Sequence, residues 1–158
     1  MRQPTPHPAL RRLDVMLGEW ELWAAGSTVG PIRTEFAWTE GGAFLAQRAD
    51  VGPDTALPGA WAANAPFPTL ALIGYDDTSD EFTVLYADGR AVARVYRATM
   101  TGRTWHQWRA APGFHQRLTV TVSPDGDTIE GNWEQSPDGE RWTTDFDVTY
   151  ARPGKPRD

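Results

Sequence analysis

The 158-residue sequence contains no cysteine. This absence excludes disulfide bridges, thiolate nucleophiles and zinc sites built on cysteine. The sequence also has no apolar run that approaches the length of a transmembrane helix. Its N-terminus lacks the apolar stretch of a signal peptide. We therefore expect a cytoplasmic protein that does not associate with a membrane.

Positive charge is also scarce, because 15 basic residues face 21 acidic ones and the net charge is −6. Non-specific nucleic-acid binding needs a basic face, so we expect no nucleic-acid partner. Hydrophobic residues make up 40% of the chain, yet eight of them are tryptophans. Few but large apolar residues favour short strands that each bury one face. The length fits one domain with a substantial core.

The segment 128–150 predicts a β-hairpin. Its centre, Ser136-Pro137-Asp138-Gly139, has the residues of a tight turn, and apolar residues alternate on both sides of it. This interpretation places Trp133 opposite Trp142 and Glu134 opposite Arg141, as a charged pair across the strands. A glycine bulge in the turn would shift the register by one residue.

The same alternation runs from residue 18 onward and predicts an all-β protein. Leu10, Leu13 and Met16 predict one short helix before it. The expected strands are 18–26, 31–40, 43–51, 69–76, 80–87, 91–99, 103–110, 115–123, 127–135 and 140–151. Tight turns between sequential strands predict a ten-stranded antiparallel up-and-down barrel without exposed edges. We expect a flexible arm over 1–8, a single barrel domain over 9–152 and a tail over 153–158.

The segment from Gly52 to Pro68 is too long for a hairpin turn. Loops of this length in a compact domain are often functional. Two interpretations carry equal weight: a tolerated insertion, or a lid over the barrel mouth with Trp61 reaching inward.

Gly18-Glu19-Trp20 follows the predicted helix and resembles the G-x-W start of lipocalins, in which an arginine of the last strand covers the tryptophan. Arg152 is the candidate for that arginine. As a set, six motifs resemble a bacterial family of lipocalin-like (calycin-type) domains that has no agreed activity. These motifs lie at 17–20, 40–45, 73–76, 94–96, 131–133 and 145–150. The resemblance implies the fold and no particular activity.

Nitrobindins are more distantly similar. They are ten-stranded barrels that bind ferric haem through a histidine near the end of the last strand. Asp145 stands at that position here. A carboxylate is not a usual proximal haem ligand, so the comparison implies no His-ligated haem, and we expect no cofactor.

The chain has three histidines, His7, His106 and His115. We expect His7 to be solvated in the arm. The other two fit half-exposed strand positions better than a metal site, which would need both on one face with a carboxylate nearby. G-x-S-x-G and glycine-rich phosphate motifs are absent. The carboxylates of the last hairpin, Glu130, Glu134, Asp145 and Asp147, are expected on the solvated outer face.

Several polar residues share strand parity with large apolar ones and are expected to enter the barrel. The predicted ligand-binding residues are Phe36, Trp38, Arg48, Tyr86, Trp105, Gln107, Arg109, Gln116, Trp133 and Gln135. A water-filled network at one barrel end explains the polar members equally well. Strand 91–99 is ambiguous: a two-residue turn before it predicts Val95 and Arg97 inside, and a three-residue turn predicts Arg94 and Tyr96 inside.

Three functions are compatible with this barrel. The first is a small-molecule carrier or sensor with an aromatic-lined lumen, whose ligand is a small apolar or amphiphilic molecule. The second is a cofactor-free cyclase or isomerase acting on a hydrophobic substrate in the lumen. Tyr86, His106 or an inward arginine would then be the general acid or the electrostatic clamp. The third is a structural module with a filled core. The oligomeric state is open, with a homodimer as one alternative.

Overall fold

The computed structural model describes residues 3–52 and 55–155 and shows a closed ten-stranded barrel. Each strand pairs antiparallel with its neighbours in sequence, and β1 closes the barrel against β10. The architecture is consistent with a calycin-like fold. The strands are β1 Gly18–Ala24, β2 Val29–Thr39, β3 Phe44–Val51, β4 Thr69–Asp76, β5 Glu81–Asp88, β6 Ala93–Thr101, β7 Thr104–Arg109, β8 His115–Val122, β9 Thr128–Ser136 and β10 Thr143–Ala151.

All ten predicted strands are confirmed, with ends that differ by up to three residues. The predicted N-terminal helix is a 3₁₀ helix over Pro8–Met16, and a second 3₁₀ turn covers Glu40–Gly42. A 3₁₀ helix has three residues per turn, so Leu10, Leu13 and Met16 lie on one side, where all three are buried. The only α-helix in the described ranges is α1, Gly59–Ala63. No helix in those ranges is long and apolar enough to cross a membrane.

One end of the barrel, the closed end, is sealed by the 3₁₀ helix Pro8–Met16, Trp20 and Arg152. The indole N–H of the fully buried Trp20 donates to the Met16 carbonyl over 2.9 Å. The Arg152 guanidinium lies 3.6 Å from the centroid of the Trp20 ring and donates to the Leu17 carbonyl over 2.7 Å. The pairing of Trp20 with an arginine after the last strand is therefore present.

Beside this seal, residues 5–7 of the predicted arm contact the barrel. The Thr5 N–H donates to the Gly41 carbonyl over 2.9 Å, and the His7 ring stacks on Tyr75 at 4.6 Å. Residues 1–2 of the predicted arm and 156–158 of the predicted tail lie outside the described residues.

The last hairpin differs from the predicted register. Trp133 lies opposite Phe146 instead of Trp142, because β10 begins at Thr143 and carries a bulge between Thr144 and Phe146. The Asp138 carboxylate accepts the backbone N–H groups of Glu140 and Arg141, which extends the turn.

The predicted charge pair between Glu134 and Arg141 is therefore wrong. Glu134 pairs with Arg117 of β8, with 2.8 Å between Arg117 Nε and Glu134 Oε1. Arg141 pairs with Asp138 over 3.1 Å. On the outer face, the Arg117 guanidinium lies 4.0 Å from the centroid of the Trp142 ring.

Candidate functional site

A cavity of about 450 Å³ lies inside the barrel. The end of the barrel opposite Trp20 is called the open end. There the cavity is lined by residues of the β3–β4, β5–β6 and β7–β8 connections and of the start of β10. Its apolar wall includes one large side chain from each of six strands, namely Leu22, Ile32, Val84, Leu118, Trp133 and Val148. The Tyr96 ring lies 5.7 Å from the Trp133 ring and 6.4 Å from the Tyr86 ring, so aromatic groups cover one side.

The interior of the cavity also has polar groups. The Tyr96 hydroxyl donates to Gln116 Oε1 over 2.9 Å, and Gln47 Nε2 donates to the Tyr150 hydroxyl over 3.2 Å. Burial raises the pKa of Tyr96 and of Tyr150, because the phenolate form loses its hydration. Both tyrosines are therefore neutral hydrogen-bonding groups at neutral pH.

At the rim, Tyr86, Asp88 and Arg90 form a connected group. Tyr86 donates its hydroxyl hydrogen to Asp88 Oδ2 over 2.7 Å, and Arg90 Nη2 donates to the same oxygen over 2.7 Å. Burial opposes ionisation of Asp88, but the hydrogen bonds from Arg90 and Tyr86 outweigh it and lower its pKa to about 2. Burial, followed by the hydrogen bond to Asp88, raises the pKa of Tyr86. Asp88 therefore neutralises the charge of Arg90.

Arg94 is the second cation of the cavity wall. The Asp88 N–H donates to the Val92 carbonyl over 3.0 Å, so a three-residue turn precedes β6. This turn sends Arg94 and Tyr96 inward and leaves Val95 59% exposed, which settles the parity of the strand. The Arg94 guanidinium lies 5.3 Å from the centroid of the Phe114 ring. No carboxylate of the described ranges forms an ion pair with Arg94.

Asp145 is the one acidic residue among the described residues of the cavity lining. The sequence predicts it on the solvated outer face. The residue is exposed, but it also lines the cavity, because the bulge at 144–146 breaks the alternation of β10. Burial raises the pKa of its carboxyl group.

The long β3–β4 connection contributes Trp61 to the cavity lining, from the short helix α1. The Trp61 ring meets the Phe146 ring edge-on at 5.1 Å. The Thr55 hydroxyl donates to the Pro31 carbonyl over 3.0 Å, which holds the loop against the end of the barrel. Positions 53 and 54 of this segment lie outside the described residues.

Four of the ten predicted ligand-binding residues line the cavity, namely Tyr86, Gln107, Gln116 and Trp133. The other six do not. Phe36 and Trp105 are buried, and with Trp38 they pack in the core towards the closed end. Gln135 lies outside the lining, although its strand parity is inward.

Arg48 and Arg109 occupy different places from the predicted ones. Arg48 is exposed on the outer face, because β3 turns Leu45, Gln47 and Ala49 inward instead of the even-numbered residues. Arg109 lies at the rim, where its Nη2 donates to the Phe114 carbonyl over 3.5 Å and where it also lines an outer groove.

Two lining residues, Gln47 and Tyr150, are absent from the predicted set, and the sequence left open whether Arg94 and Tyr96 face inward. Tyr150 had a usable signal, since it continues the apolar row of the last hairpin. No comparable signal existed for Arg94, because the length of the turn at Asp88 decides whether its side chain faces inward or outward.

His106 and His115 both line the outer groove and not the cavity. The His106 ring stacks on Trp108 at 5.4 Å, and its Nδ1 lies 3.0 Å from the Thr119 hydroxyl. His115 Nδ1 accepts the Ala111 N–H over 3.0 Å. Within 3–52 and 55–155, no group of three or more His, Asp or Glu side chains is arranged to hold a metal ion.

The chain matches no protein-family model and no curated protein.

Proposed function

We propose that this protein is a small-molecule carrier or sensor that binds its ligand in the barrel cavity. The observation that carries the proposal is a cavity of about 450 Å³ whose wall is mostly apolar and aromatic, with a few polar groups. Ligand pockets usually have volumes of about 300–1,000 Å³ and this kind of lining. The proposal keeps the cytoplasm as the expected compartment.

The volume of the cavity argues against a filled-core structural module. Protein interiors are close-packed, and a void lowers stability because its lining atoms lose their contacts. Here nearby core residues such as Phe82 and Trp105 are packed tightly, with ring centroids 5.4 Å apart. A loss of packing restricted to one end of the barrel fits a binding site.

The cations of the rim favour a ligand with an anionic group. Asp88 neutralises Arg90, whereas Arg94 contacts the Phe114 ring and the Tyr96 hydroxyl and has no acidic partner in the described chain. An arginine without a carboxylate partner in a partly buried place is costly unless carbonyls, water or a ligand accept its remaining hydrogen bonds. Its planar guanidinium binds a carboxylate through two hydrogen bonds. We therefore expect an amphiphilic ligand with its acidic group beside Arg94.

The test is a tryptophan-fluorescence titration with decanoate and decanol, since Trp133 lies in the cavity wall. We expect Arg94→Met to weaken decanoate binding by about tenfold and to leave decanol binding nearly unchanged. Arg48→Met is the comparison, because Arg48 lies on the outer face and its loss is expected to have no effect.

Equal affinities of the wild type for decanoate and decanol would contradict the role of Arg94. If neither compound bound, and a structure showed side chains filling the cavity, the filled-core module would be the better description. A loss of decanoate binding in Arg48→Met alone would restore the sequence-based assignment of Arg48.

A cofactor-free enzyme is the second candidate, and Asp145 is the observation that favours it. A carboxylate with a pKa raised by burial, at the edge of a hydrophobic cavity, is a suitable general base. The tyrosines do not suit that role, because their raised pKa values keep them protonated. Turnover of a bound compound that Asp145→Asn abolishes, with binding retained, would establish the enzyme.

The outline of the fold also supports a relation to the lipocalin-like bacterial domains. The contact of Arg152 with Trp20 is the feature that this relation would require. This relation would concern the evolutionary origin of the fold and would not identify the ligand.

A further inference from the structure

Two glutamines face the interior of the cavity with their oxygen atoms already engaged. Gln107 Oε1 accepts the indole N–H of Trp105 over 3.0 Å. An indole N–H can only donate, so the amide of Gln107 must present its oxygen to Trp105. Its NH₂ group is therefore directed away from Trp105.

Gln116 has the same arrangement on the neighbouring strand. Its Oε1 accepts the hydroxyl hydrogen of Tyr96 over 2.9 Å. In the β7–β8 register, Gln107 lies opposite Leu118 and Arg109 lies opposite Gln116. The two glutamines are thus diagonal neighbours on the inner face of adjacent strands.

Both side chains line the cavity, although Gln107 is only 8% exposed and Gln116 only 7%. Among the hydrogen bonds of residues 3–52 and 55–155, those of Gln107 and Gln116 involve only their Oε1 atoms, and neither NH₂ group has an acceptor. The one carboxylate of the described lining, Asp145, lies at the rim on β10, two strands away from Gln116. The wall at β7 and β8 therefore offers hydrogen-bond donors to the cavity.

We propose that the NH₂ groups of Gln107 and Gln116 form a subsite for a hydrogen-bond acceptor, the carbonyl oxygen of the ligand. This inference rests on the proposed binding function and specifies the ligand class. A carbonyl oxygen accepts from both amides and has no hydrogen of its own to satisfy. A hydrocarbon leaves the buried donors without partners, and sites with buried polar groups discriminate strongly against such analogues.

The test uses three probes with the same carbon skeleton: methyl naphthyl ketone, its secondary alcohol and ethylnaphthalene. Isothermal titration calorimetry measures the affinity of each probe for the wild type, Gln107→Met and Gln135→Met. Methionine keeps the approximate volume of glutamine and removes the donors. Gln135 lies opposite Gln116 in β9 but outside the cavity lining, so its variant is the matched control.

For the wild type, we expect the ketone to bind about tenfold more tightly than ethylnaphthalene, with the alcohol in between. Gln107→Met should remove most of this preference and leave the affinity for ethylnaphthalene unchanged. Gln135→Met should retain the preference.

Equal affinities of the wild type for all three probes would overturn this inference and leave the binding function intact. Binding of none of them would overturn the binding function and the inference with it. A second measurement is independent of any folding defect of the variants. In ¹H–¹⁵N spectra of the wild type, the ketone should shift the side-chain amide signals of Gln107 and Gln116, and ethylnaphthalene should not. The same shifts with both probes would contradict the subsite.

Discussion

The two ends of the barrel use the same residue types in different ways. At the closed end, Arg152 lies over Trp20, and its Nη1 and Nη2 donate to the carbonyls of Leu17 and Val15. At the open end, Arg94 lies over Phe114 at 5.3 Å and has no acidic partner in the described chain. The N–H donors of Arg152 are thus bonded to backbone carbonyls of the same chain. Arg94 at the open end instead contacts two aromatic side chains, Phe114 and Tyr96, and we propose that its remaining donors serve a ligand.

The largest effect is expected from breaking the seal of the closed end. Trp20 is fully buried, so Trp20→Ala should lower the free energy of unfolding by about 3–5 kcal/mol. Denaturant unfolding measures this change. Trp142→Ala is the control, because Trp142 is partly exposed beside Arg117 on the outer face, and we expect a loss below about 1 kcal/mol. Similar losses in both variants would contradict the special role of the closed end.

Removing the arginine of the closed end should have a smaller effect. Arg152→Met keeps much of the side-chain volume but loses the hydrogen bonds to backbone carbonyls and the contact with Trp20. We expect a loss of about 2 kcal/mol, from charged hydrogen bonds and a cation–π contact. Arg11→Met is the matched control, because its ion pair with Asp14 is exposed and should contribute at most about 0.5 kcal/mol. Equal losses of unfolding free energy in the two variants would show that Arg152 contributes no more to stability than an exposed arginine.

At the open end, acid should weaken the rim through Asp88. The folded pKa of Asp88, about 2, lies below the ordinary value of about 3.9 for aspartate. Its contribution is therefore complete above about pH 4 and is lost as the pH falls towards 2. Since the carboxylate is inaccessible to solvent, we expect about 1–2 kcal/mol at neutral pH. Unfolding between pH 2 and 6 should show a flatter profile for Asp88→Asn, and Asp77→Asn, in an exposed turn, should keep the wild-type profile.

The smallest effect on stability is expected at the loop over the cavity. Trp61 is only partly buried and has Phe146 as its ring partner, so Trp61→Ala should lower the unfolding free energy by about 1 kcal/mol or less. Its effect should appear in ligand kinetics, as faster association and dissociation of decanoate in stopped-flow experiments. A stability loss as large as that of Trp20→Ala would show that Trp61 belongs to the core. Unchanged association and dissociation rates would contradict the lid interpretation of the β3–β4 connection.

The sequence predicts the closed end better than the open end for a physical reason. Strand alternation is a local pattern that predicts the barrel. The resemblance of Gly18-x-Trp20 to the lipocalin motif implies the Arg152 contact. Which residues line the cavity depends on the turns and bulges that change which face of a strand points inward. The three-residue turn at Asp88 decides whether Arg94 enters the cavity, and the bulge at 144–146 places Asp145 on its rim. The predicted inward direction of Arg48 is wrong, because the odd-numbered residues of β3 face the interior.

If the open end contains the ligand site, a bulky side chain that fills the cavity should prevent binding. Ala71 is buried and lines the cavity, whereas Ala87 is exposed and lines a groove on the outer face. The measurement is the affinity of anilinonaphthalene sulfonate, an anionic apolar fluorophore, for Ala71→Phe and Ala87→Phe. We expect Ala71→Phe to weaken binding by at least about tenfold without lowering the unfolding midpoint, and Ala87→Phe to bind like the wild type. Wild-type affinity in a folded Ala71→Phe variant, or loss of binding in Ala87→Phe alone, would place the ligand site outside the cavity.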